Sequence, residues 1–344
     1  MKVVPFTADH AETLIAGLDR AGLDAPLLRV EPFMRHYYLS SPDCQLLLLL
    51  DDDDRITATL GSERVRLRIG GNLLDAAVIS STFSLSPGAF PMLLMQWMRS
   101  TELGVAFPGN PLLQAMFARQ RRWVAVPGLR RFWLNWGYPV SADDPGWKQH
   151  LKPLARWIRR VDASRFEDRV RGLAPAGLSL REEARFDDTM VPTAAAFGLR
   201  IEPGADYLNW RFDTTLDHVK HRIFRIEREA RSVGHVVISE WAHCVNVSHC
   251  DAEDAHTLVC AVLMAVSRVN QGEDRHRAVI LTSMHAGMQP VLAQFGFSPA
   301  PADSPMYLAA FGSHGLPIDR GDDWLVNLDL GDGGMFQGMF YRPS

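Results

Sequence analysis

The sequence predicts an α/β (α+β) chain of two tandem domains of one kind, each a central mixed, largely antiparallel sheet flanked by helices. Three observations carry this. The chain has 344 residues, beyond the size at which one core normally stops growing. Its pattern of strand and helix signals runs through once and then repeats. The register repeats as well: Tyr207, Trp210, Phe212 and Asp217 stand 174 residues after Phe33, His36, Tyr38 and Asp43, and Phe297 stands 174 after Trp123.

In chain order, residues 2–7 read as a strand and "ADHAETLIAGLDRAGL" as an amphipathic helix with Leu14, Ile15 and Leu18 at helical spacing. A short helix around Phe33 to Tyr38 precedes the apolar strand "CQLLLLL". Four aspartates, 51–54, then force a solvated turn. "ITATLGSERVRLRI" alternates Val65, Leu67 and Ile69 with arginines, turns at Gly70 and Gly71, and returns as "LLDAAVISSTFSLS". "PGAFPMLLMQWMRS" opens a helix, followed by the strand "LGVAFP", the helix "NPLLQAMFARQR" and the strand region "WVAVPGLRRFWLNW". The first domain is placed at 1–142. Residues 143–175 are Arg-rich and Pro-interrupted and read as a linker with one exposed helix. The second domain, 176–344, repeats the order: "LSLREEA", a helix over "DTMVPTAAAF", the short helix "ADYLNWRF", three strands, the long helix "EDAHTLVCAVLMAVSRV", and a closing strand, helix and strand.

Composition narrows the function. A hydrophobic share of 47% and a charged share of 22% are those of an ordinary globular protein. The formal net charge of -4 argues against nucleic acid, which is bound through surplus Lys and Arg. No stretch is long and uncharged enough to span a bilayer, no leader is evident, and the four cysteines are too few for a disulfide framework, so a cytoplasmic protein is expected.

The order of elements, with a meander leading into a helix, resembles the GNAT (N-acetyltransferase) fold, and the whole chain resembles a tandem of two such domains. "GVAFPGNPLLQAMFARQRRW" and "VLAQFGF" are similar to the strand and helix that close GNAT domains. "YLNWRF" together with "DDWLVNLDLGDGG" resembles bacterial GNAT-like proteins associated with exopolysaccharide biosynthesis. The resemblance implies an acyltransferase that takes acetyl-CoA or another acyl-CoA as donor, without a metal, and delivers the acyl group to an amine or hydroxyl of a small-molecule or saccharide acceptor.

GNAT enzymes hold the coenzyme A pyrophosphate on a Gly-rich loop at the start of the central helix, where free N–H groups and the helix dipole favour an anion. The first half offers "SPGAFPM", so the resemblance places the donor at Ser86, Gly88 and Ala89, with Asn110 at the next helix start; the loop's usual Arg and second Gly are missing, and Pro87 and Pro91 lack N–H donors. The second half offers Asp251, Glu253 and Asp254, good helix caps that repel a phosphate. The family's general-acid tyrosine is replaced by Leu292 in the second half and by Phe117 or Ala118 in the first. Acid–base chemistry must then come from polar residues near the fourth strand. Asp75, Ser81 and Tyr38 are the catalytic candidates, with Ser80, Thr82 and Tyr37 beside them.

Tyr207, Trp210 and Arg211 have the composition of a sugar-stacking or acid-clamping platform, and equally that of a packing patch. His249 and His285 are candidates for an acceptor pocket. The cluster of His243, Cys244, His249, Cys250, Asp251 and His256 fits no standard zinc spacing, and buried thiols are the simpler reading. Two other readings stand beside acyl transfer from coenzyme A. One is a GNAT-fold binding or scaffold protein with degenerate phosphate loops. The other is a Fem-type aminoacyl-transferase using tRNA, which the acidic charge disfavours.

Overall fold

The computed structural model describes residues 1–126, 128–136, 145–148, 150–151, 154, 161–192, 197–216, 219–240, 244–270, 278–283, 285–301, 305–311 and 323–326. It divides into two compact units. One is built on Met1–Pro127 with a later segment that carries Met306–Ala310; the other is built on Gly128–Ala302 with a later segment that carries Trp324–Leu325.

The first unit opens with β1 (Lys2–Pro5) and α1 (Ala11–Arg20), whose Leu14 and Leu18 are buried. A short helix α2 (Glu31–Met34) runs directly into a π-helical turn, Arg35–Leu39, that buries Tyr37 and Tyr38. The meander follows: β2 (Cys44–Leu50), β3 (Ile56–Ile69) and β4 (Asn72–Ser84). The acidic run makes the first turn. Asp51 Oδ1 accepts from the amides of Asp53 and Arg55 at 2.9 and 2.8 Å, an Asx-type use of the side chain. Gly70 and Gly71, both at positive φ, make the second, as a two-residue hairpin of matching twist requires. Then come α3 (Ala89–Arg99), β5 (Leu103–Ala106), α4 (Pro111–Arg119) and β6 (Trp123–Val126). Helix α3 lays Phe90, Leu93, Leu94 and Trp97 on Ala58, Leu60, Ala77 and Ile79 of the sheet, the apolar stripe that its spacing predicts.

The second unit contains β7 (Arg130–Asn135), α5 (Ala163–Leu173), β8 (Leu178–Glu183), β9 (Leu199–Ile201), α6 (Ala205–Arg211), β10 (Lys220–Arg228), β11 (Arg231–Glu240) and β12 (Cys244–Ala252). It continues with α7 (Ala255–Asn270), β13 (Ala278–Ser283), α8 (Gln289–Gln294) and β14 (Ser298–Pro301). Helix α7 is buried on nearly every side, which its run of Leu, Val, Cys and Ala permits.

The last strands are exchanged. β15 (Met306–Ala310), from the end of the sequence repeat, inserts antiparallel between β5 and β6 of the first unit, giving the order β1-β2-β3-β4-β5-β15-β6. β7, from the end of the first repeat, inserts between β13 and β14, giving β14-β7-β13-β12-β11-β10-β8. A short parallel pair, β9 with β16 (Trp324–Leu325), completes the second unit. The stretch "WVAVPGLRRFWLNW", expected to close one domain, is thus two strands in two different sheets.

Two further expectations change. The segment 163–173 is not an exposed connector: α5 buries Phe166 and Val170 in the second core, and Phe166 meets Trp136 and Phe295 edge-on at 5.0 and 5.1 Å. Of the helix expected over "DTMVPTAAAF", the part described is a 3-10 turn, Asp188–Met190, capped by Asp187, with Val191 and Pro192 after it; 193–196 lie outside the described residues. No helix among the described residues is long and apolar enough to cross a membrane.

Candidate functional site

In the first unit β4 pairs parallel with β5 only through Ala77↔Gly104, Val78↔Val105 and Ile79↔Ala106. Immediately beyond, β4 carries a bulge against β3: Gly61 faces Ser80, but Thr59 faces Phe83. Ser81 sits in this irregularity at φ +42, a left-handed conformation that a non-glycine residue adopts only when its surroundings enforce it. Thr59 Oγ1 holds it there, donating to the Ser81 carbonyl at 2.8 Å. β4 therefore presents its 80–84 edge where β5 has ended, a strand edge of the kind an extended ligand can pair with.

A buried polar cluster stands under that edge. Tyr37 donates to Glu63 Oε2 at 2.5 Å, and Tyr38 Oη lies 3.4 Å from Ser80 Oγ. Tyr37 and Glu63 are fully buried, Tyr38, Ser80 and Ser81 nearly so. Gly61 makes the arrangement possible: a Cβ there would lie 2.3 Å from Ser80 Oγ and 2.6 Å from Tyr38 Oη. The structure thus brings Tyr38 and Ser81 into one neighbourhood. Asp75 is not part of it, standing exposed on β4 opposite Arg66, several residues down a strand that rises about 3.3 Å per residue. Glu63 shares the core-facing side of β3 with Val65, Leu67 and Ile69, opposite the exposed Arg64 and Arg66; its charge kept it out of the sequence reading, and only its buried partner Tyr37 shows how it is accommodated.

The turn into α3 is largely closed to an anion. The amides of Leu85 and Ser86 both reach Thr57 O at 2.8 and 3.0 Å, Ala89 N reaches Ser86 O at 3.3 Å, and Phe90 N reaches Ser84 Oγ at 3.4 Å. With Pro87 and Pro91 lacking N–H groups, Gly88, at φ +75, is the one amide of the turn these bonds leave unused. Asn110 is the N-cap of α4, its Oδ1 accepting from Leu112 N and Leu113 N at 2.7 and 3.4 Å.

The second unit repeats the geometry with different chemistry. β12 pairs parallel with β13 through Val247↔Leu281, and its own bulge follows at once: Ile238 faces Val247, but Val237 faces His249. The bulge at Ser248 overturns the simple alternation of β12. His249 does not share a face with Val245 and Val247, which join Cys250 and Ala252 in the core. It stacks on Phe212 at 5.9 Å and lies 5.0 Å from the ring of His235. On the same side His221 Nδ1 is 2.9 Å from Ser239 Oγ, which contacts Ser248 Oγ, and Asn246 Nδ2 donates to Ser248 at 3.0 Å.

Asp251 is not a helix cap, as the sequence reading had it. It is buried against the guanidinium of Arg200, which also binds Glu202 at 2.5 Å. Asp254 caps α7 instead, accepting from Thr257 N at 2.8 Å, while Glu253 pairs with Arg228 at 3.1 Å and Arg231 at 2.9 Å. Burial pushes the Asp251 carboxyl up to about 7 against the pull of Arg200. Burial likewise lowers His235 to about 4, although the bond from Nδ1 to Met190 O opposes it. His249 is held well below the ordinary histidine value by burial and by the neighbouring His235, Arg211 and Arg200.

Tyr207 and Trp210 are half-buried on α6 with ring centroids 5.5 Å apart, and Tyr207 packs beside Phe186, Leu208 and Phe212. Arg211 is buried, with its guanidinium 5.9 Å from the Phe212 ring. His285 has other neighbours: its ring meets Phe197 at 5.3 Å and Nδ1 accepts from Gly287 N at 3.1 Å. Burial lowers its pKa. No group of three or more His, Cys, Asp or Glu that could hold a metal occurs among the described residues. His243 and the tail "DLGDGG" lie outside them.

No family model matches the chain, and no curated protein matches it. Solved structures do. A GCN5-related N-acetyltransferase from Anabaena variabilis superposes with a TM-score of 0.56 at 10% identity, over 90% of this chain and 73% of that one. A tandem GNAT protein from the clavulanic acid biosynthesis pathway gives 0.51 at 15%, over 91% and 99%. Saccharomyces cerevisiae N-myristoyltransferase, solved with myristoyl-CoA and inhibitors, gives 0.56 at 11%, over 94% and 86%. At such identities the likeness is one of fold, and the fold it shows is the one the repeated elements, the two sheet orders and the two bulges describe: this chain has a tandem GNAT-like fold.

Proposed function

We propose that the chain is an acyl-CoA-dependent acyltransferase whose chemistry belongs to the first unit and whose acceptor is an amine of a small or sugar-linked molecule. Exopolysaccharide or cell-envelope synthesis in the cytoplasm is the setting we assign to it. The observation that carries this reading is the strained bulge at Ser81, placed where the β4–β5 ladder ends and next to Ser80, whose hydroxyl lies 3.4 Å from Tyr38.

An acyl-CoA fits the edge through its pantetheine arm, whose amides can pair with β4 as a strand would. Its pyrophosphate has Gly88 N–H beside Ser86 and Ala89, with the side-chain amide nitrogen of Asn110 further along. In the transfer, the neutral amine attacks the thioester carbonyl carbon; the C–N bond forms and the C–S bond breaks. The amine's proton leaves toward the Tyr37–Glu63 pair, Tyr37 passing its own proton to the carboxylate. Tyr38 protonates the departing thiolate.

Steady-state thiol release from acetyl-CoA and a long-chain acyl-CoA, offered a panel of amines and amino sugars, tests the proposal. Tyr38→Phe should lower turnover roughly a hundredfold with an unchanged melting temperature. Equal rates in wild type and Tyr38→Phe would remove this assignment.

A second reading has its own observation. Four amides of the first turn are consumed internally, and Glu253 and Asp254 occupy the second. Both features suit a GNAT-fold scaffold that binds no acyl-CoA. Failure of any acyl-CoA to bind would favour it.

A further inference from the structure

The first unit has a second concave surface, which the acyltransfer reading does not use. It is an open cleft of about 720 Å³, inside the size range of small-molecule sites, and it lies where α3 ends and β5 begins. The donor turn at Ser86, Gly88 and Ala89 stands at the other end of α3, whose 11 residues span about 16 Å.

Met95, Met98 and Phe311 form an apolar wall of this cleft. Phe311 is firmly held: its amide donates to Glu102 O at 2.7 Å, and its ring meets Trp97 and Trp123 edge-on at 6.0 and 5.6 Å. Gly104 lets the three rings converge, since a Cβ there would lie 2.9 Å from the Phe311 ring. The two methionines are unbranched and flexible, so they adapt to an alkyl chain more readily than to a rigid outline.

The rest of the lining is polar and includes Arg99, Arg122 and Glu102. Among the described residues, none of these three side chains makes a hydrogen bond or an ion pair. Two guanidiniums against one carboxylate leave a single positive charge. That balance suits a monoanion and disfavours a dianion.

We propose that the cleft binds a free carboxylate carried on an unbranched alkyl chain, with the carboxylate at Arg99 and Arg122 and the chain along Met95, Met98 and Phe311. A guanidinium presents paired N–H donors that match a carboxylate. An alkyl phosphate offers the same tail but a head of nearly two negative charges at neutral pH, which Glu102 opposes. An uncharged chain leaves both guanidiniums without a partner.

Calorimetric titration of the full chain with decanoate tests this, with decanol, decyl phosphate and acetate as comparisons and with Arg99→Glu, Arg122→Glu and Met95→Glu as variants. All three positions are exposed, so unchanged melting is expected, and loss of fold in one variant leaves the other two to decide. Decanoate should bind more tightly than any of the comparison compounds. Each substitution should lower its affinity at least about tenfold, and saturating acetyl-CoA should leave it unchanged, because the β4 edge is a different surface. The proposal fails if decanoate does not bind, if decanol or decyl phosphate binds as well, or if folded variants bind decanoate undiminished. Displacement by acetyl-CoA would overturn it too, by seating the chain in the donor site. A dimer dissolved by Met95→Glu, with no decanoate bound, would overturn it by giving the cleft to a second copy.

Discussion

Glu63 and His235 show how burial decides what a residue is for. Glu63 stands next to the exposed Arg64 in sequence yet is fully buried with Tyr37 as donor. Removing that donor should be felt in the fold as well as in catalysis: Tyr37→Phe is expected to lower stability by about 1–3 kcal/mol, read by urea unfolding, and to shift the pH profile of thiol release. His235 and Asp251 act on stability in opposite directions. The folded pKa of His235 is depressed to about 4 from 6.5, so its contribution is present above 6.5 and is lost as pH falls through 4. That of Asp251 is raised to about 7 from 3.8, so its contribution is present below 3.8 and is lost as pH rises through 7. His235→Gln should therefore reduce the loss of stability between pH 6.5 and 4 by on the order of 3 kcal/mol, measured by denaturant titration at each pH; an unaltered slope would contradict the assignment. Single residues were only partly legible in the sequence. Tyr38 and Ser81 could be chosen because they flank a predicted strand and helix, but Asp75, of equally suitable chemistry, lies on the exposed part of the same strand.

Elements were more legible than residues, because periodicity reports on faces and turns directly. The short helix at 205–211 was read from "ADYLNWRF" with its boundaries nearly as observed, and the Gly70–Gly71 hairpin and both central helices follow from local chemistry. Bulges are not local in this sense. Ser248 looks like any alternating strand residue until Val237 is seen to face His249 and Ile238 to face Val247, and the bulge moves His249 to the opposite face. Pairing partners are equally hidden: nothing in "LRRFWLN" says that it joins a sheet built from the second repeat. The exchange of β7 and β15 has a direct consequence. A fragment 1–142 lacks the strand that separates β5 from β6, and 143–344 lacks the one between β13 and β14. Each fragment alone should aggregate or show little cooperative unfolding, whereas co-expressed fragments should copurify, as judged by size-exclusion and circular dichroism. Phe166→Ala should cost about 3–5 kcal/mol, because α5 belongs to the second core; a surface connector would lose far less.

For the molecule as a whole, the repeat was readable because two copies of one fold impose the same order of periods on weakly similar letters. The first and second units share sheet order, bulge position and the point where the parallel ladder stops. They differ in the polar groups near the bulge, which are Tyr, Glu and Ser in one and His, Ser and Asn in the other. The turns that open their central helices differ too, one using all of its amides but that of Gly88 in internal bonds and the other bearing carboxylates. The central claim is that the first unit takes an acyl-CoA at the β4 edge. Calorimetric titration of the intact protein with acetyl-CoA and with a long-chain acyl-CoA, on wild type and Gly88→Glu, tests it most directly. A Cβ at Gly88 meets no atom within 4 Å, but at φ +75 any side chain strains the backbone, so a modest loss of stability is expected with the fold kept. The account predicts binding by the wild type and its loss in a Gly88→Glu protein that still unfolds cooperatively; binding equal in both, or in neither, would contradict it.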